Sequence, residues 1–304
     1  MIDISDIHMI QVVADVGSIN KAAEILNMSQ PTLSKKVSRL EQKLNLELFS
    51  RGIAGMVPTE AANLLIKEGS HLKDQLRIVE RQLELMSYKK GGVVKLGVGP
   101  IVEQVLLPKV LLDYVDQNYD FKVQVSTMSS EALLKHLRKG AIDLAIGPFV
   151  ESDIPDDMTS PLYLSEKIIG AVRAGHDLSS KGAALTLDAF TQFKAVTPDI
   201  PAHMGHQISR LLENTSLEPE IVCENYAMAK TIVSNSDYIT AGPESLFRTE
   251  FASGELAKLE FPISVNWNCM CIVRPETLLI PIVKEIVSIF SQYMNAPETG
   301  ALKR

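Results

Sequence analysis

Two stretches near the start of the chain carry apolar residues at helical spacing. In the second stretch, Leu33, Val37 and Leu40 fall at positions i, i+4 and i+7, which predicts one buried face. Ser29 is a natural N-cap for this helix, and Pro31 suits its first turn, where a missing N–H costs nothing. The pattern predicts a helix over residues 29–40 whose polar residues lie on the remaining surface.

A tight turn separates this helix from the one before it. Ser18 is a natural N-cap for the earlier helix, and Asn27 with Met28 can form the turn. The apolar face of the earlier helix comprises Ala22, Ala23, Ile25 and Leu26. Helix, turn and a second helix with hydrogen-bonding residues at its start are typical of a DNA recognition element.

The surface of the second helix supplies the residues that we expect to contact DNA. Gln can pair bidentately with adenine, and Lys can reach guanine or a phosphate. The predicted contacts are Gln30, Pro31, Thr32, Ser34, Lys35 and Arg51, with Lys36 and Arg39 as secondary phosphate contacts. The alternative is a solvated charged face, and the complete helix-turn-helix pattern favours DNA.

A long helix is predicted from its cap Thr59 to about Tyr88. Its apolar positions are Leu65, Leu72, Leu76, Val79, Leu83 and Met86. From Leu72 onward the spacing alternates between four and three residues, which is a heptad seam with polar residues on both sides. The spacing favours a dimerising coiled coil over packing within one domain. Gly91 and Gly92 then indicate a hinge.

The pattern changes from helical to alternating at residue 93. Strands are predicted at 93–99, 121–125 and 142–146, and helices at 105–115 and 130–139. A second set follows, with strands at 167–172, 195–197, 220–223 and 238–241 and helices at 187–190, 206–214 and 227–233. The last predicted helix is 281–293. Strands that alternate with helices indicate an α/β fold with a parallel sheet.

Charge is distributed unevenly along the 304 residues. The first 90 residues carry 12 Lys and Arg against 11 Asp and Glu, and the remainder carry 18 against 26. Within residues 30–51, five cations face two anions, so positive charge concentrates where the helix-turn-helix would meet phosphates. The net charge of −7 therefore does not argue against a local DNA-binding surface.

Other classes of site find little support in the sequence. Cys269 and Cys271 lie two apart on a predicted strand and Cys223 lies elsewhere, so buried thiols are favoured over a disulfide or a redox switch. His203 and His206 lack further metal ligands nearby. No catalytic or nucleotide-binding motif occurs, so we expect no metal, no cofactor and no enzyme activity. The three cysteines, the lack of a long apolar run and the absence of a signal-peptide pattern predict a cytoplasmic protein.

The first 65 or so residues resemble the DNA-binding domain of LysR-type transcriptional regulators. The matching positions are Val13, Ala14, Gly17, Ser18, Lys21, Ala22, Ala23, Leu26, Ser29, Gln30, Pro31, Leu33, Ser34, Leu40, Glu41, Leu48, Phe49, Arg51, Thr59, Glu60 and Ala61. The chain departs from the family at Ile10, Asn45 and Ala62. Its wing, residues 52–57, also lacks the basic residues often found there.

The remainder resembles the effector-binding half of the same family, through Gly97, residues 106–108, residues 140–146 and residues 242–243. The resemblance implies a winged helix-turn-helix joined by a long dimerisation helix to a two-lobed α/β domain like periplasmic binding proteins. The implied domains are 1–58 for DNA binding, 59–90 for the linker helix and hinge, and 91–304 for effector binding. Lobe one would comprise 92–163 and 268–295, and lobe two 164–267.

In such sheets ligands lie beyond the carboxyl ends of strands, beside helix N-termini that favour anions. The predicted effector contacts are Pro100, Ile101, Ser129, Ser130, Thr197, Pro198, Asp199 and Thr240. Many relatives carry Ser or Thr in place of Ile101, so we expect a ligand with one apolar face. For Ser130 the alternative is a plain helix cap.

The resemblance implies a transcriptional regulator that binds a double-stranded DNA operator. It would respond to a small-molecule effector, with an anion favoured, and associate as a dimer or a dimer of dimers. The alternatives are a redox-responsive member of the family, or a stand-alone solute-binding protein or enzyme on the same α/β fold.

Overall fold

A computed structural model describes residues 2–52, 55–87, 92–180, 192–198, 219–223, 225–261 and 264–295. Its backbone contacts divide the chain into two compact units, Met1–Arg81 and Gln82–Arg304. Within the described ranges, no helix combines the length and apolar character needed to cross a membrane. The predicted helices at 187–190 and 206–214 lie outside the described residues.

The first unit is mainly helical. Its elements are α1 (Ile4–Val16), α2 (Ile19–Ile25), α3 (Gln30–Leu44), β1 (Phe49–Gly52), β2 (Gly55–Pro58) and α4 (Glu60–Ser87), which continues into the second unit. Its core gathers one stripe from each of the first three helices, including Ile10, Ala22 and Leu33, each fully buried. The helical apolar spacing of the sequence becomes this shared core because each helix is apolar on one face only.

A close backbone approach joins the wing hairpin, β1 and β2, to the end of α1. The Met56 N–H donates to the Gly17 carbonyl at 2.8 Å. Gly55 has a φ of +102°, and a Cβ added there would lie 2.3 Å from the Gly17 oxygen. Only glycine fits at position 55, because a side chain would clash with backbone as well as strain φ.

The second unit begins with a parallel arrangement, as its sequence predicts. It comprises β3 (Val93–Val98), α5 (Pro100–Val105), α6 (Leu107–Asp116), β4 (Lys122–Thr127), α7 (Ser130–Arg138) and β5 (Leu144–Gly147). Strand β3 pairs in parallel with β4 and with β5. The predicted single helix over 105–115 is wrong, since the chain forms two helices that meet at Leu106, with Pro108 in the first turn of α6.

Two long strands then depart from the parallel expectation. Strand β6 (Thr159–Arg173) pairs antiparallel with β11 (Asn266–Val273), and β11 pairs antiparallel with β5. The prediction of a short strand at 167–172 is therefore wrong in length, and the expectation of a parallel sheet fails here. Pro161 sits on β6 opposite a register shift between Cys271 and Val273, where a missing N–H is tolerated.

The described elements between and after these strands complete the unit. They are β7 (Val196–Pro198), β8 (Ile221–Cys223), α8 (Tyr226–Ser234), β9 (Thr240–Pro243), α9 (Arg248–Ser253), β10 (Leu256–Leu259), α10 (Pro275–Leu278) and α11 (Pro281–Phe290). Strands β7 and β8 are parallel, whereas β9 and β10 flank the far half of β6 in antiparallel register. The sequence predicted neither α9 nor β10.

The fold is thus a helix-turn-helix unit followed by a mixed α/β unit. The predicted lobe boundary at 163/164 falls inside β6, and the boundary at 267/268 falls inside β11. Both strands run through these positions without a break. Strand β6 pairs with β11 through Lys167 and with β9 from Ile168 onward, so one strand belongs to both parts of the α/β unit.

Candidate functional site

Buried packing on one side of α3 presents its other side to solvent. Leu33, Val37 and Leu40 are buried, as their spacing predicts. The Ser29 hydroxyl accepts from the Thr32 N–H at 3.4 Å and shares a 2.7 Å hydrogen bond with the Thr32 hydroxyl, so the predicted cap is present. Asn27 forms the preceding turn in the left-handed region, with a φ of 53°.

The residues predicted to contact DNA lie together on the outer face of α3. Gln30, Pro31, Thr32, Lys35, Lys36 and Arg39 are exposed, and Ser34 is partly buried. The Gln30 side-chain amide donates to the Ser34 hydroxyl at 2.9 Å. This bond holds the amide along the helix and leaves its carbonyl oxygen to accept a hydrogen bond. Arg51 lies in β1, and its side chain is outside the described residues.

Two polar residues fix the chain between α3 and α4. They are Glu41, whose role was not apparent in the sequence, and Thr59, which the sequence predicts as the cap of α4. The Glu41 carboxylate accepts from the N–H groups of Leu48 at 2.9 Å and Phe49 at 3.3 Å. The Thr59 hydroxyl donates to the Glu47 carbonyl at 2.8 Å and accepts from the Ala62 N–H at 3.3 Å. Glu41 therefore holds the start of β1 against α3, and Thr59 holds the start of α4 against the chain that precedes β1. Ser18, by contrast, makes no side-chain capping bond to α2.

Helix α4 carries an uncovered apolar stripe. Its members are Leu72, Leu76, Val79, Leu83 and Met86, all of them more than 40% exposed. On the same helix Ile78 and Leu85 are buried, so the helix already packs along a different face. Leu65 is partly buried against the first unit's core and stands apart from the stripe. The exposed stripe is the heptad seam that the sequence predicts from Leu72 onward.

The predicted effector residues of β3 and β4 gather at the carboxyl ends of these strands. Pro100 opens α5, and Ile101 packs partly buried against the main core. Ser129 is the N-cap of α7 and accepts from the Ala132 N–H at 3.4 Å, whereas Ser130 donates to the Pro148 carbonyl at 3.3 Å. The capping role considered for Ser130 therefore belongs to Ser129.

Thr197, Pro198 and Thr240 form a second group on neighbouring strands β7 and β9. All three are buried, and the Thr240 hydroxyl has no hydrogen-bond partner among the described residues. Tyr226, which sequence reasoning missed, joins them: its hydroxyl donates to the Ala241 carbonyl at 3.0 Å and also bonds the Thr197 hydroxyl. Burial raises the pKa of Tyr226 to about 12, so it stays a neutral donor. Asp199 lies outside the described residues.

The three cysteines are free and buried. Burial raises the pKa of the Cys271 thiol to about 12 and raises the pKa of Cys269 well above its ordinary value, because an apolar interior disfavours the charged thiolate. Burial also raises the pKa of Cys223. Since the thiolate is the reactive form, these surroundings disfavour redox sensing. His203 and His206 lie outside the described residues, within which no group of metal ligands occurs.

Two family models match the chain. The model described as "Bacterial regulatory helix-turn-helix protein, lysR family" matches residues 4–63, and the model described as "LysR substrate binding domain" matches residues 89–295. The chain therefore belongs to the LysR family of transcriptional regulators. It is a DNA-binding regulator that pairs a helix-turn-helix domain with an effector-binding α/β domain.

Curated relatives and solved structures agree with this assignment. The HTH-type transcriptional regulator YdcI of Escherichia coli is 26% identical over 84% of both chains. The SDS degradation transcriptional activation protein of a Pseudomonas species is 27% identical over 86% of this chain and 85% of that protein. The structure of Vibrio fischeri DarR in complex with DNA shares the fold with a TM-score of 0.58, at 20% identity over 95% of this chain and 98% of that chain.

A probe of thiol reactivity separates effector sensing from redox sensing. With the pKa of Cys271 near 12 instead of 9, the thiolate fraction at pH 8 falls about 1,000-fold. We therefore expect iodoacetamide to leave Cys269 and Cys271 unlabelled in the native chain and to label them rapidly in urea, as read by peptide mass spectrometry. Rapid native labelling of either thiol would revive the redox alternative.

Proposed function

We propose that this regulator contacts its operator through the exposed face of α3 and changes that binding in response to a small-molecule effector. The observation that carries the proposal is the outer surface of α3, where Gln30, Thr32 and Lys35 stand exposed beside a fully buried Leu33. A helix anchored on one side and polar on the other fits the major groove.

The candidate contact residues of α3 fall into two groups by their position along the helix. Gln30 and Lys35 lie in the first half, where a recognition helix meets base edges. Lys36 and Arg39 lie further along or around the helix, where phosphates are the expected partners. Arg51 on β1 would add a wing contact. We accordingly propose base contacts for Gln30 and Lys35, and phosphate contacts for Lys36, Arg39 and Arg51.

Substituting the proposed contacts should weaken operator binding in two distinguishable ways. Gln30→Ala should relax the preference at one base pair, at a cost of about 1–3 kcal/mol on the preferred sequence. Lys36→Ala should weaken binding to all sequences alike and reduce the salt dependence, since it removes one phosphate contact. Mobility shifts over a selected operator and its single-base variants at several salt concentrations measure both effects.

Lys67→Ala provides the control, because Lys67 is also exposed but lies on α4, outside the proposed contact residues. Its affinity should stay close to that of the unaltered chain. If Gln30→Ala and Lys36→Ala both bind as tightly as this control, α3 is not the contact surface.

Self-association of two chains follows from the stripe on α4. The stripe offers Leu72, Val79 and Met86 at one heptad position and Leu76 with Leu83 at the other. Each side chain is between 41% and 67% exposed in its own chain. We attribute this exposure to a second copy that packs against the same stripe, which would place two recognition helices on a dyad operator. A dimer of dimers would require further surfaces in the α/β unit.

Charges placed in the stripe should separate the two copies. Leu76→Asp with Leu83→Asp would bury two carboxylates without partners at the centre of the seam. Sedimentation should then report half the mass per particle, or dimers in place of tetramers. Leu64→Asp is the control, since Leu64 is 62% exposed on the same helix but lies outside the stripe. Equal particle mass for the double variant and the control would refute pairing through this helix.

The effector site is proposed between the two groups of predicted residues. One group comprises Pro100, Ile101, Ser129 and Ser130, and the other comprises Thr197, Pro198 and Thr240, with Asp199 expected beside them. The unpartnered Thr240 hydroxyl supports a polar ligand, because a buried hydroxyl without a partner costs about 1–3 kcal/mol. The start of α7 supports an anion, but α5 has six residues and adds little as a helix terminus.

A bulky residue at the start of α7 should block this site. In a thermal-shift screen of small carboxylic acids, compounds that stabilise the unaltered chain should lose their effect on Ser130→Trp, because the indole would occupy their space. Ser291→Trp, at the exposed end of α11, is the control for the added ring. Equal stabilisation of Ser130→Trp and the control would place the effector elsewhere.

The domain boundaries 1–58, 59–90 and 91–304 remain part of the proposal. The family consists of transcriptional regulators, and we propose no catalytic role and no cofactor for this chain. The cytoplasmic location expected from the sequence likewise stays a prediction.

A further inference from the structure

A cavity of about 360 Å³ opens at the place where β6 changes partners. It is lined by Glu166, Lys167, Glu244, Ser245, Arg248 and Phe251. None of the predicted effector residues belongs to this lining. The volume lies in the range of about 300–1,000 Å³ that is usual for small-molecule sites.

Two separate structural elements form the walls of the cavity. Glu166 and Lys167 are the last residues of β6 in register with β11, opposite Trp267 and Asn266. The opposite wall is residues 244–251, a short 3-10 turn followed by α9. The Glu166 carboxylate accepts from the Ser245 N–H at 3.4 Å, a long bond that joins the two walls. A molecule in the cavity would therefore contact β6 and α9 together.

Ion pairs neutralise part of the cavity's rim. Lys167 binds Glu260 at 2.6 Å, and Lys258 binds both Glu260 at 2.8 Å and Glu244 at 2.7 Å. This network occupies Lys167 and Glu244, the two outer charges of the lining. It also lowers the pKa of Glu260, first through its hydrogen bond with Lys167. These groups are already satisfied by one another and would contribute little to a ligand.

Two opposite charges of the lining remain outside that network. Among the described residues, neither Glu166 nor Arg248 forms an ion pair, with each other or with another side chain. Arg248 is exposed, and Glu166 is partly buried. The half-buried ring of Phe251, which packs on Phe247 at 5.8 Å between ring centroids, provides apolar surface beside them.

We propose that this cavity binds a small zwitterion with an apolar side chain, that is, an α-amino acid. The Arg248 guanidinium would take the carboxylate in a forked pair of hydrogen bonds, and the Glu166 carboxylate would take the ammonium group. The side chain would rest on Phe251. This second ligand site is independent of the proposed function. Only an effect of the bound amino acid on operator binding would depend on the proposed function.

Titration calorimetry of the full chain without DNA tests the site with L-phenylalanine and L-leucine as probes. Two truncated probes, 3-phenylpropanoate and 2-phenylethylamine, lack the ammonium group and the carboxylate respectively. Each should bind about tenfold or more weakly than L-phenylalanine, because each leaves one charged partner unpaired. Binding of neither amino acid at millimolar concentration, or binding no tighter than that of both truncated probes, would overturn the proposal.

Substitutions test which charged residue of the cavity binds which charged group of the amino acid. Arg248→Gln should bring L-phenylalanine and 2-phenylethylamine to equal affinity, and Glu166→Gln should do the same for L-phenylalanine and 3-phenylpropanoate. Arg138→Gln, an equally exposed arginine on α7, should leave all ratios unchanged. Matching circular dichroism spectra verify folding of each variant. If Arg248→Gln preserves the preference for the carboxylate, the zwitterion site is refuted, whatever the chain does to DNA.

Discussion

The antiparallel pairing of β6 with β11 is the interaction on which the α/β half of this regulator depends. Strand β6 is 15 residues long, and its two ends belong to different parts of the sheet. If this ladder opened, buried N–H and C=O groups on both strands would lose partners, at about 1–3 kcal/mol each. The same continuity means that any displacement between the two parts must bend or twist these strands. Ligands that contact β6 near residue 167 are well placed to influence that movement.

The DNA-binding half holds a polar helix face exposed at a fixed angle. One apolar stripe anchors α3, and caps at both ends fix its length. Glu41 and Thr59 then bind the chain that leaves the helix and the chain that starts α4. The outer face of α3 is held in place because the opposite face of the helix is packed, and the DNA contact proposed for it would benefit from such pre-organisation.

The surroundings of the cysteines bear on how this chain would sense a signal. The thiols at Cys269 and Cys271 lie in the apolar core, where a raised pKa keeps them protonated. The proposed ligand sites rely instead on polar groups, namely the unpartnered Thr240 hydroxyl and the charges of Glu166 and Arg248. Sensing by non-covalent binding is therefore better supported than sensing by oxidation.

The sequence by itself determined α2, α3, the long helix α4 with its seam, and the short parallel strands β3, β4 and β5. These depend on local periodicity, caps and turn residues, which a single segment carries within itself.

Only the tertiary structure decided the length and antiparallel direction of β6. Pro161 and the polar residues around it weaken the local strand signal, while pairing with β11 sustains the strand. Tertiary structure also decided the cavity lined by Glu166 and Arg248, because residues 82 positions apart in sequence come to line one cavity only in the folded chain. Alternation in a sequence can indicate a strand, but it does not record which strand pairs with it or in which direction, so this part of the molecule could not be predicted from the sequence alone.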